Sequence, residues 1–368
     1  MSQEQSVLVA MSGGVDSCAA ATILCEQGFN VIGVSMQVWD YRNHGGNSSR
    51  ATCCAPSDFQ DARLVAEKYG FPFYIFDFEE SFKSSVIDPF VNSYINGETP
   101  NPCLNCNKFV KFKQLRERAA KLGISLIATG HYAQIKKIND SYALFTSKDN
   151  QKDQTYFLYA LTQDELSKTL FPVGAMVKKD VRDLLRIQEV EVADKAESQD
   201  ICFVSGSVSD FIKNNSSFKS SNGEIINQSG EVLGYHTGII NFTVGQRKGL
   251  GISAEHPLYV ISIDSLNNKV VVGPREELKQ VSFYLNNVNW IRTIPTESFK
   301  SSVKLRYRQR GIECLVTPLD ATTAKVEFLD DWTTVSPGQA GVMYSIDPDS
   351  DGDFEVIGGG IISNNMCN

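Results

Sequence analysis

The chain has 368 residues, which at roughly 100–200 residues per domain means two or three domains. Hydrophobic residues make up 42% and charged residues 21%, so disorder, collagen and coiled coil are excluded. A formal net charge of −8 excludes a body that is basic all over, so any polyanion must be met by local patches of Lys and Arg.

No apolar stretch approaches the roughly 18 residues of a membrane helix, and MSQEQSVLVAMSGG has no basic region ahead of an apolar one. These features predict a soluble cytoplasmic protein with no membrane partner. Nine cysteines are present: Cys18, Cys25, Cys53, Cys54, Cys103, Cys106, Cys202, Cys314 and Cys367. An odd number without an export signal argues for reduced, metal-binding or catalytic thiols, not a disulfide framework.

In chain order, SVLVAM (6–11) predicts a strand that stops in a Gly-rich turn. Residues 15–27 carry helix formers, and Gly28 is placed to end that helix. A second strand is predicted over 30–39, a second helix over 58–70, a third strand over 71–78, a long helix over 108–123 and a fourth strand over 125–133. This alternation predicts an α/β fold, a doubly wound parallel sheet covered on both faces. The pattern changes near residue 205, where SGSVSDFIKNNSSFKSSNG opens a new domain. Beyond it, short runs such as GEIINQSGEVLG, TGIINFTVGQ and PLYVISIDSLNNKVVVG alternate between turn signals, which predicts two small β domains. The domains expected are 1–205, 206–278 and 279–368.

The sharpest local signal is Ser12-Gly13-Gly14-Val15-Asp16-Ser17, which follows a strand and opens a helix. Glycines let the backbone approach an anion, and the new helix turns its N–H groups and dipole toward that charge. No Lys follows the glycines, so this is not the nucleotide-triphosphatase pattern, and it is not GxGxxG. The hexapeptide resembles the pyrophosphate loop of the ATP-pyrophosphatase (PP-loop) superfamily. That likeness implies ATP as co-substrate, with Mg2+, and adenylation of an acceptor oxygen.

Further segments occur in family order: NPCLNCNK (101–108), ATGHY (128–132), KDQTY (152–156), SQDICF (198–203) and GQRKGLG (245–251). With the loop they resemble the tRNA-specific 2-thiouridylase (MnmA) family from residue 6 to about 362. The likeness implies thiolation of the wobble uridine of tRNA at C2. Its sulfur would come from a persulfide donor, a cysteine desulfurase or a sulfur-relay protein. It also implies phosphates held by Ala10, Met11, Ser12, Gly13, Gly14, Val15, Asp16 and Ser17, and adenine framed by Met36 and Gly130. Alone, Met36 reads as ordinary core.

Two thiols stand out. Cys106 precedes the long predicted helix, where terminal N–H groups and Lys108 would favour its thiolate. Cys202 follows an acidic stretch from Asp194 to Asp200. The resemblance implies a persulfide on Cys202 whose outer sulfur attacks the activated base. Cys106 then attacks that persulfide and leaves a Cys106–Cys202 disulfide. Asn101, Pro102 and Cys103 would face the target base, but Cys103 stands where the family carries an Asp with an acid/base role. That leaves Cys103 itself, a water or Asp200 for the proton transfer. It also opens an iron–sulfur alternative on Cys103, Cys106 and Cys202, ranked below the relay. Cys18, Cys25 and Cys314 read as core, Cys53-Cys54 as a loop pair and Cys367 as tail.

For tRNA, the resemblance points to His131, to Lys152, Asp153 and Gln154, and to Gln339, and the residues themselves add Arg306 and Tyr307. A lone His is often structural, and KDQ is equally a solvated turn. In KLRYRQR, Lys304, Arg306, Arg308 and Arg310 alternate, which predicts one basic strand face with Tyr307 opposite. Arg247 and Lys248 would extend it. The rivals are another adenylating enzyme with this loop (a 4-thiouridine or 2-thiocytidine synthase, or a ligase) and a non-catalytic RNA-binding protein.

Overall fold

The structure, a computed structural model, describes residues 5–39, 56–196, 201–204, 206–218, 220–329 and 333–363. Cys53, Cys54, Asp200 and Cys367 lie outside the described residues, as do Ser198 and Gln199. By contact the chain divides into two compact units. One holds Met1–Val86, Cys103–Ser205 and Asp347–Ile357, and the other Ile87–Pro102, Gly206–Ile346 and Gly358–Asn368.

The first unit runs β1 (Ser6–Ala10), α1 (Val15–Glu26), β2 (Asn30–Gln37), α2 (Pro56–Tyr69), β3 (Phe73–Asp77), β4 (Leu126–Thr129), the hairpin of β5 (Gln134–Ile138) and β6 (Ser141–Phe145), and β7 (Thr169–Leu170). Five strands form a sheet in the order β3-β2-β1-β4-β7, with parallel pairing throughout. The successive residues Val7, Leu8 and Val9 of β1 are all fully buried, so both faces of the sheet centre are covered. Val7, Val9 and Met11 share one core with Cys18, Ala19 and Leu24 of α1, Val65 of α2, and Val181 and Leu185 of the helix Lys178–Ile187. Small residues on α1 let it lie close to the strands. Burial pushes the Cys18 thiol up to about 12, which makes it a packing residue and not a nucleophile. The helices end where glycines were expected to end them: Gly28 and Gly70 adopt φ +82 and +73. In the strand order, the chain runs outward from β1 to one side and then returns to β4 on the other. A crevice therefore opens beyond the carboxyl ends of β1 and β4, where ligands of such sheets bind.

The second unit contains two β assemblies. β8 (Gly223–Ile226), β9 (Val232–His236), β10 (Tyr259–Asp264) and β11 (Lys269–Gly273) form a four-stranded sheet in the order β10-β11-β8-β9. Its core is Ile225, Val260, Val270 and Val272. The run TGIINFTVGQ, expected as a strand, instead holds a short 3-10 turn at Ile239–Asn241. Gly238 at φ +145 turns the chain there and lets Ile239, Ile240 and Phe242 point inward together. The remaining strands are β12 (Ser282–Trp290), β13 (Phe299–Lys304), β14 (Ile312–Pro318), β15 (Ala324–Phe328), β16 (Ala340–Tyr344) and β17 (Glu355–Ser363). They run β12-β15-β14-β13-β16-β17, and pairing of β12 with β17 closes a six-stranded barrel without a free edge. Cys314 is buried in β14, where burial pushes its thiol up to about 12.

The sequence reading did not anticipate the β5–β6 hairpin. Its Lys136 Nζ donates to Asp349, Asp351 and Asp353 at 2.6, 2.8 and 2.9 Å. The same hairpin pairs with the start of β17, Glu355 opposite Phe145 and Val356 opposite Leu144. Lys136 thus fastens the late segment Asp347–Ile357 into the first unit. The Lys136 hydrogen bond holds the Asp349 carboxyl below the usual carboxylate range. A carboxyl depressed by folding gives its full stabilisation above about pH 4 and loses it as pH falls through the folded value. Lys136→Met should therefore lower the urea midpoint at pH 7 and flatten its decline between about pH 5 and 3. Urea titrations across that range check this, and an acid limb as steep as wild type would count against the role given to Lys136.

Candidate active site

The crevice is lined first by the loop after β1. Met11 N–H donates to Val34 O at 2.8 Å and carries the strand pairing one residue further before the chain turns. Gly13 turns with φ +69, and a Cβ there would lie 2.0 Å from the Asp58 carbonyl oxygen. No other residue fits. Gly14 caps α1 in an extended conformation, and no side chain caps the first helical N–H groups, which leaves them directed at the crevice. The hydroxyls rigidify the turn: Ser17 Oγ accepts from Ser12 N–H at 3.1 Å and donates to Gly14 O at 3.0 Å. Ser12 Oγ stands 3.2 Å from Ser17 Oγ. This is a preformed anion cradle.

Neighbouring elements press on it. A Cβ at Gly130, just beyond β4, would lie 2.5 Å from the Asp16 carbonyl carbon and 2.6 Å from Ser17 N. Gly130 therefore lets the end of β4 touch the first turn of α1. Asp16 Oδ1 accepts from Tyr132 OH at 2.8 Å and from Lys178 Nζ at 2.6 Å. Lys195 Nζ donates to Gly13 O at 3.0 Å and to Asp58 and Asp61 carboxylates at 2.6 and 2.5 Å. The loop lacks a lysine of its own, and the fold supplies two from far along the chain. No local sequence signal marks either one. Met36 is half-buried on β2, paired with Phe76 of β3.

The thiol segment differs from expectation. A continuous helical run begins at Pro102 and reaches Lys121, and its middle, Cys106–Gln114, is a π-helix in which Leu115 N–H donates to Val110 O. Pro favours the first helical position because its φ is preset and its missing N–H is not needed there. Cys106 is therefore the fifth residue of the run, not a residue ahead of it, and the terminal N–H groups lie nearer Cys103. Long π segments are rare and concentrate at functional sites. Cys103 is exposed, whereas Cys106 and Cys202 are half-buried. Phe203, next to Cys202, stacks edge-on against Phe82 with ring centres 5.6 Å apart. Ser81 beside it donates to Gln114 Oε1 at 2.7 Å, at the far end of the π run. The Cys202 turn and the Cys106 helix thus rest on one short element, Glu79–Phe82. Among the described residues, the group with three ligand atoms all within 4.8 Å of one another is Asp349, Asp351 and Asp353, around Lys136.

The residues expected at RNA fall into two kinds. His131 is only 8% exposed, its Nδ1 lies 2.7 Å from Thr129 Oγ1, and its ring sits between Phe112 and Phe171. Burial, reinforced by nearby Lys111, pushes its pKa well below the usual imidazole value and keeps it neutral. Asp153 turns inward and accepts from Ser147 N–H and Thr155 Oγ1. Gln154 exchanges hydrogen bonds with the Tyr132 backbone, and Lys152 is half-exposed. Gln339 Nε2 donates to Thr99 O at 2.6 Å, two residues before Asn101. Asn101 is half-buried and Pro102 buried. The basic strand face is corrected. β13 ends at Lys304, and Gln309 N–H donates to Arg306 O in the turn that must reverse the chain toward β14. Arg306, Arg308 and Arg310 are exposed in that turn, with Tyr307 half-buried between them. Arg247 and Lys248 are exposed as well.

Gly130→Ala should cost about 1–3 kcal/mol of stability, because the new methyl group meets helix backbone that cannot move aside. A denaturant titration measures it, and a loss below a few tenths would contradict the close approach described.

Three family models match the chain in succession: a tRNA methyl transferase HUP domain over residues 5–206, a tRNA methyl transferase PRC-barrel domain over 209–274, and an aminomethyltransferase beta-barrel domain over 280–362. The tRNA-specific 2-thiouridylase MnmA of Geobacter metallireducens is 45% identical, across 97% of this chain and 96% of its own. The namesake from Geotalea uraniireducens is 45% identical over 98% and 95%, and that from Rickettsia bellii 44% over 99% and 98%. Among solved structures, an NMN synthetase from Francisella tularensis overlays 53% of this chain and 66% of its own at 15% identity and a TM-score of 0.31, too remote for any inference. Similarity of this extent to the 2-thiouridylases, over a parallel sheet with an anion cradle followed by small β assemblies, makes the chain a member of the tRNA-specific 2-thiouridylase (MnmA) family.

Proposed function

We propose that the protein is a tRNA-uridine 2-sulfurtransferase that replaces the C2 oxygen of the wobble uridine with sulfur at the expense of ATP. The observation that carries the reading is an anion cradle at the sheet's switch point in the same unit as Cys106 and Cys202. Residues 10–17 hold the nucleotide phosphates, with Met36 and Gly130 beside the adenine. The uridine O2 attacks the α-phosphate, and pyrophosphate leaves into N–H groups already aimed at it, which need not reorganise as charge develops. The outer sulfur of a Cys202 persulfide then attacks C2 and AMP departs with the old oxygen. Attack by Cys106 on Cys202 frees the thiouridine and leaves a disulfide for a reductant to open. Carboxylates of Asp16, Asp58 and Asp61 stand at the loop, an oxygen donor set of the kind Mg2+ takes, though each already holds a lysine ammonium. Mg2+ would arrive with the nucleotide and neutralise phosphate charge.

In this reading residues 1–205 carry the chemistry, and 206–278 and 279–368 meet the tRNA. The exposed Arg306 and Arg308 contact its backbone. Buried His131 and Asp153 and half-buried Gln154 act on the RNA by shaping the loop that presents Lys152. Two family models are described by methyl transfer, but a cradle for phosphates and a pair of thiols serve sulfur transfer after adenylation.

Mass spectrometry of tRNA incubated with protein, ATP and a persulfide donor tests the reaction, since thiolated and methylated uridine differ in mass. Cys202→Ser should form no thiolated tRNA. Cys106→Ser should accumulate a persulfide on Cys202 and yield little product. Cys103→Ser separates the relay from an iron–sulfur cluster: substantial activity is expected with the relay, joint loss of iron and activity with a cluster. Product from Cys202→Ser would end the relay reading. Reversing charge at Arg306 and Arg308 should weaken tRNA binding and make its salt dependence shallower with ATP affinity unchanged, because fewer counterions are released. A salt slope equal to wild type would remove this turn from the interface.

A further inference from the structure

Asp16 Oδ1 is the meeting point of two chains of hydrogen bonds that both start in the loop 147–154. In the first chain, Gln154 clasps the Tyr132 backbone: Gln154 N–H donates to Tyr132 O, and Gln154 Oε1 accepts from Tyr132 N–H, each at 2.9 Å. The Tyr132 hydroxyl then donates to Asp16 Oδ1 at 2.8 Å. In the second chain, Asp149 accepts from Gln151 N–H at 3.1 Å through Oδ1 and from Lys178 N–H at 2.9 Å through Oδ2. Lys178 Nζ donates to Asp16 Oδ1 at 2.6 Å and lies 5.8 Å from the centre of the Tyr132 ring. Lys152 stands between the two starting points, and its N–H donates to Asp149 O at 3.0 Å. All these residues belong to the first unit. Tyr132 is 2% exposed and Lys178 9%, so water is a poor substitute for either at Asp16. Hydrogen bonds to a charged group are also among the strong ones.

We infer that Tyr132 and Lys178 are positioning residues that couple the phosphate loop to the loop 147–154, so that nucleotide and tRNA strengthen each other's binding. Asp16 lies in the first turn of α1, beside the uncapped N–H groups. A polyphosphate bound there brings like charge to its carboxylate, and the two donors on Oδ1 offset that repulsion. A bound nucleotide therefore holds Tyr132 and Lys178 more firmly, and they in turn hold Gln154 and Asp149 on either side of Lys152. RNA seated on Lys152 orders the same bonds from the other end. Whichever ligand binds first bears the ordering cost of the shared bonds, and the second binds more tightly for it. The coupling is reciprocal, and neither residue need touch the reacting atoms. It rests on reading residues 10–17 as the ATP loop and Lys152 as an RNA contact, and the experiment separates it from those readings.

Isothermal titration calorimetry gives the Kd of α,β-methylene-ATP with and without a saturating tRNA transcript that carries an unmodified wobble uridine. The Kd of the transcript is measured likewise with and without saturating analogue. Wild type should show the same ratio in both directions, about fivefold or more. Tyr132→Phe cuts the first chain at Asp16 without removing the ring, and Lys178→Met cuts the second. Each should bring the ratio down to about half its wild-type value or less, and the double variant should bring it near one. A merely structural loss would weaken each ligand by the same factor whether or not the other is present. Should either variant fail to fold, Gln154→Ala removes the side-chain bond at the half-buried start of the first chain, and the ratio should fall there too. A ratio near one in wild type that binds both ligands overturns the inference, as does an unchanged ratio in the folded variants. Wild type that binds tRNA but not the analogue strikes the reading of residues 10–17, and tRNA affinity unchanged by Lys152→Glu strikes the reading of Lys152. The inference falls with either.

Discussion

Everything in the candidate site depends on a close approach of backbone to backbone, that of the Gly13 turn to Asp58 and of Gly130 to the first turn of α1. Both contacts exclude a Cβ, and together they fix where the uncapped N–H groups of α1 point. An anion cradle made of peptide groups has no side chain that can adjust to a misplaced ligand, so its geometry must be set beforehand. Lysines 178 and 195 set it from outside. They bond the loop's acidic and carbonyl oxygens and pin it to flanking helices.

The thiols are arranged by a different device. Cys106 enters a π-helical run, and Cys202 lies beside the Phe203–Phe82 stack. Neither lies on the rigid strands of the sheet. Both sit on elements that rest on Glu79–Phe82, so the sheet positions the loop after β1 while this short element positions the two cysteines. In the second unit, Gln339 and Pro337 perform a comparable service for the chain that leads into the helix at Pro102. Gln339 donates to Thr99 O, and Thr99 N–H donates to Pro337 O.

Much of this was legible in the sequence. Hydrophobic runs and terminal glycines placed β1, α1, β2 and α2 within a few residues, because a parallel sheet buried on both faces leaves an unbroken apolar signature. The loop hexapeptide was legible because glycines and hydroxyls gathered between an apolar run and helix formers mark a tight strand-to-helix turn. Besides the β5–β6 hairpin and the turn at Ile239–Asn241, three features near the candidate sites escaped. The alternation of KLRYRQR mimics strand periodicity, but an antiparallel pair needs a reversal between Val303 and Ile312, and the turn takes the arginines. Cys106 was placed ahead of its helix because the apolar pattern starts late, whereas Pro102 had already started it. Lys178 and Lys195 carry no local mark at all, since their roles come from partners more than a hundred residues away.

The π run Cys106–Gln114 also bears on how this segment can change over time. Its hydrogen bonds close rings one residue larger than those of an α-helix, so the run holds a residue that an α-helix of the same span would not need. Removing a residue within it would narrow those rings. Between Cys106 and Val110 the loss would also change the direction in which Cys103 and Cys106 face relative to Val110 and Phe112, which are buried. Such a helix tolerates exchange of side chains but resists change of length, and insertions or deletions that drift freely through surface loops should be filtered out here.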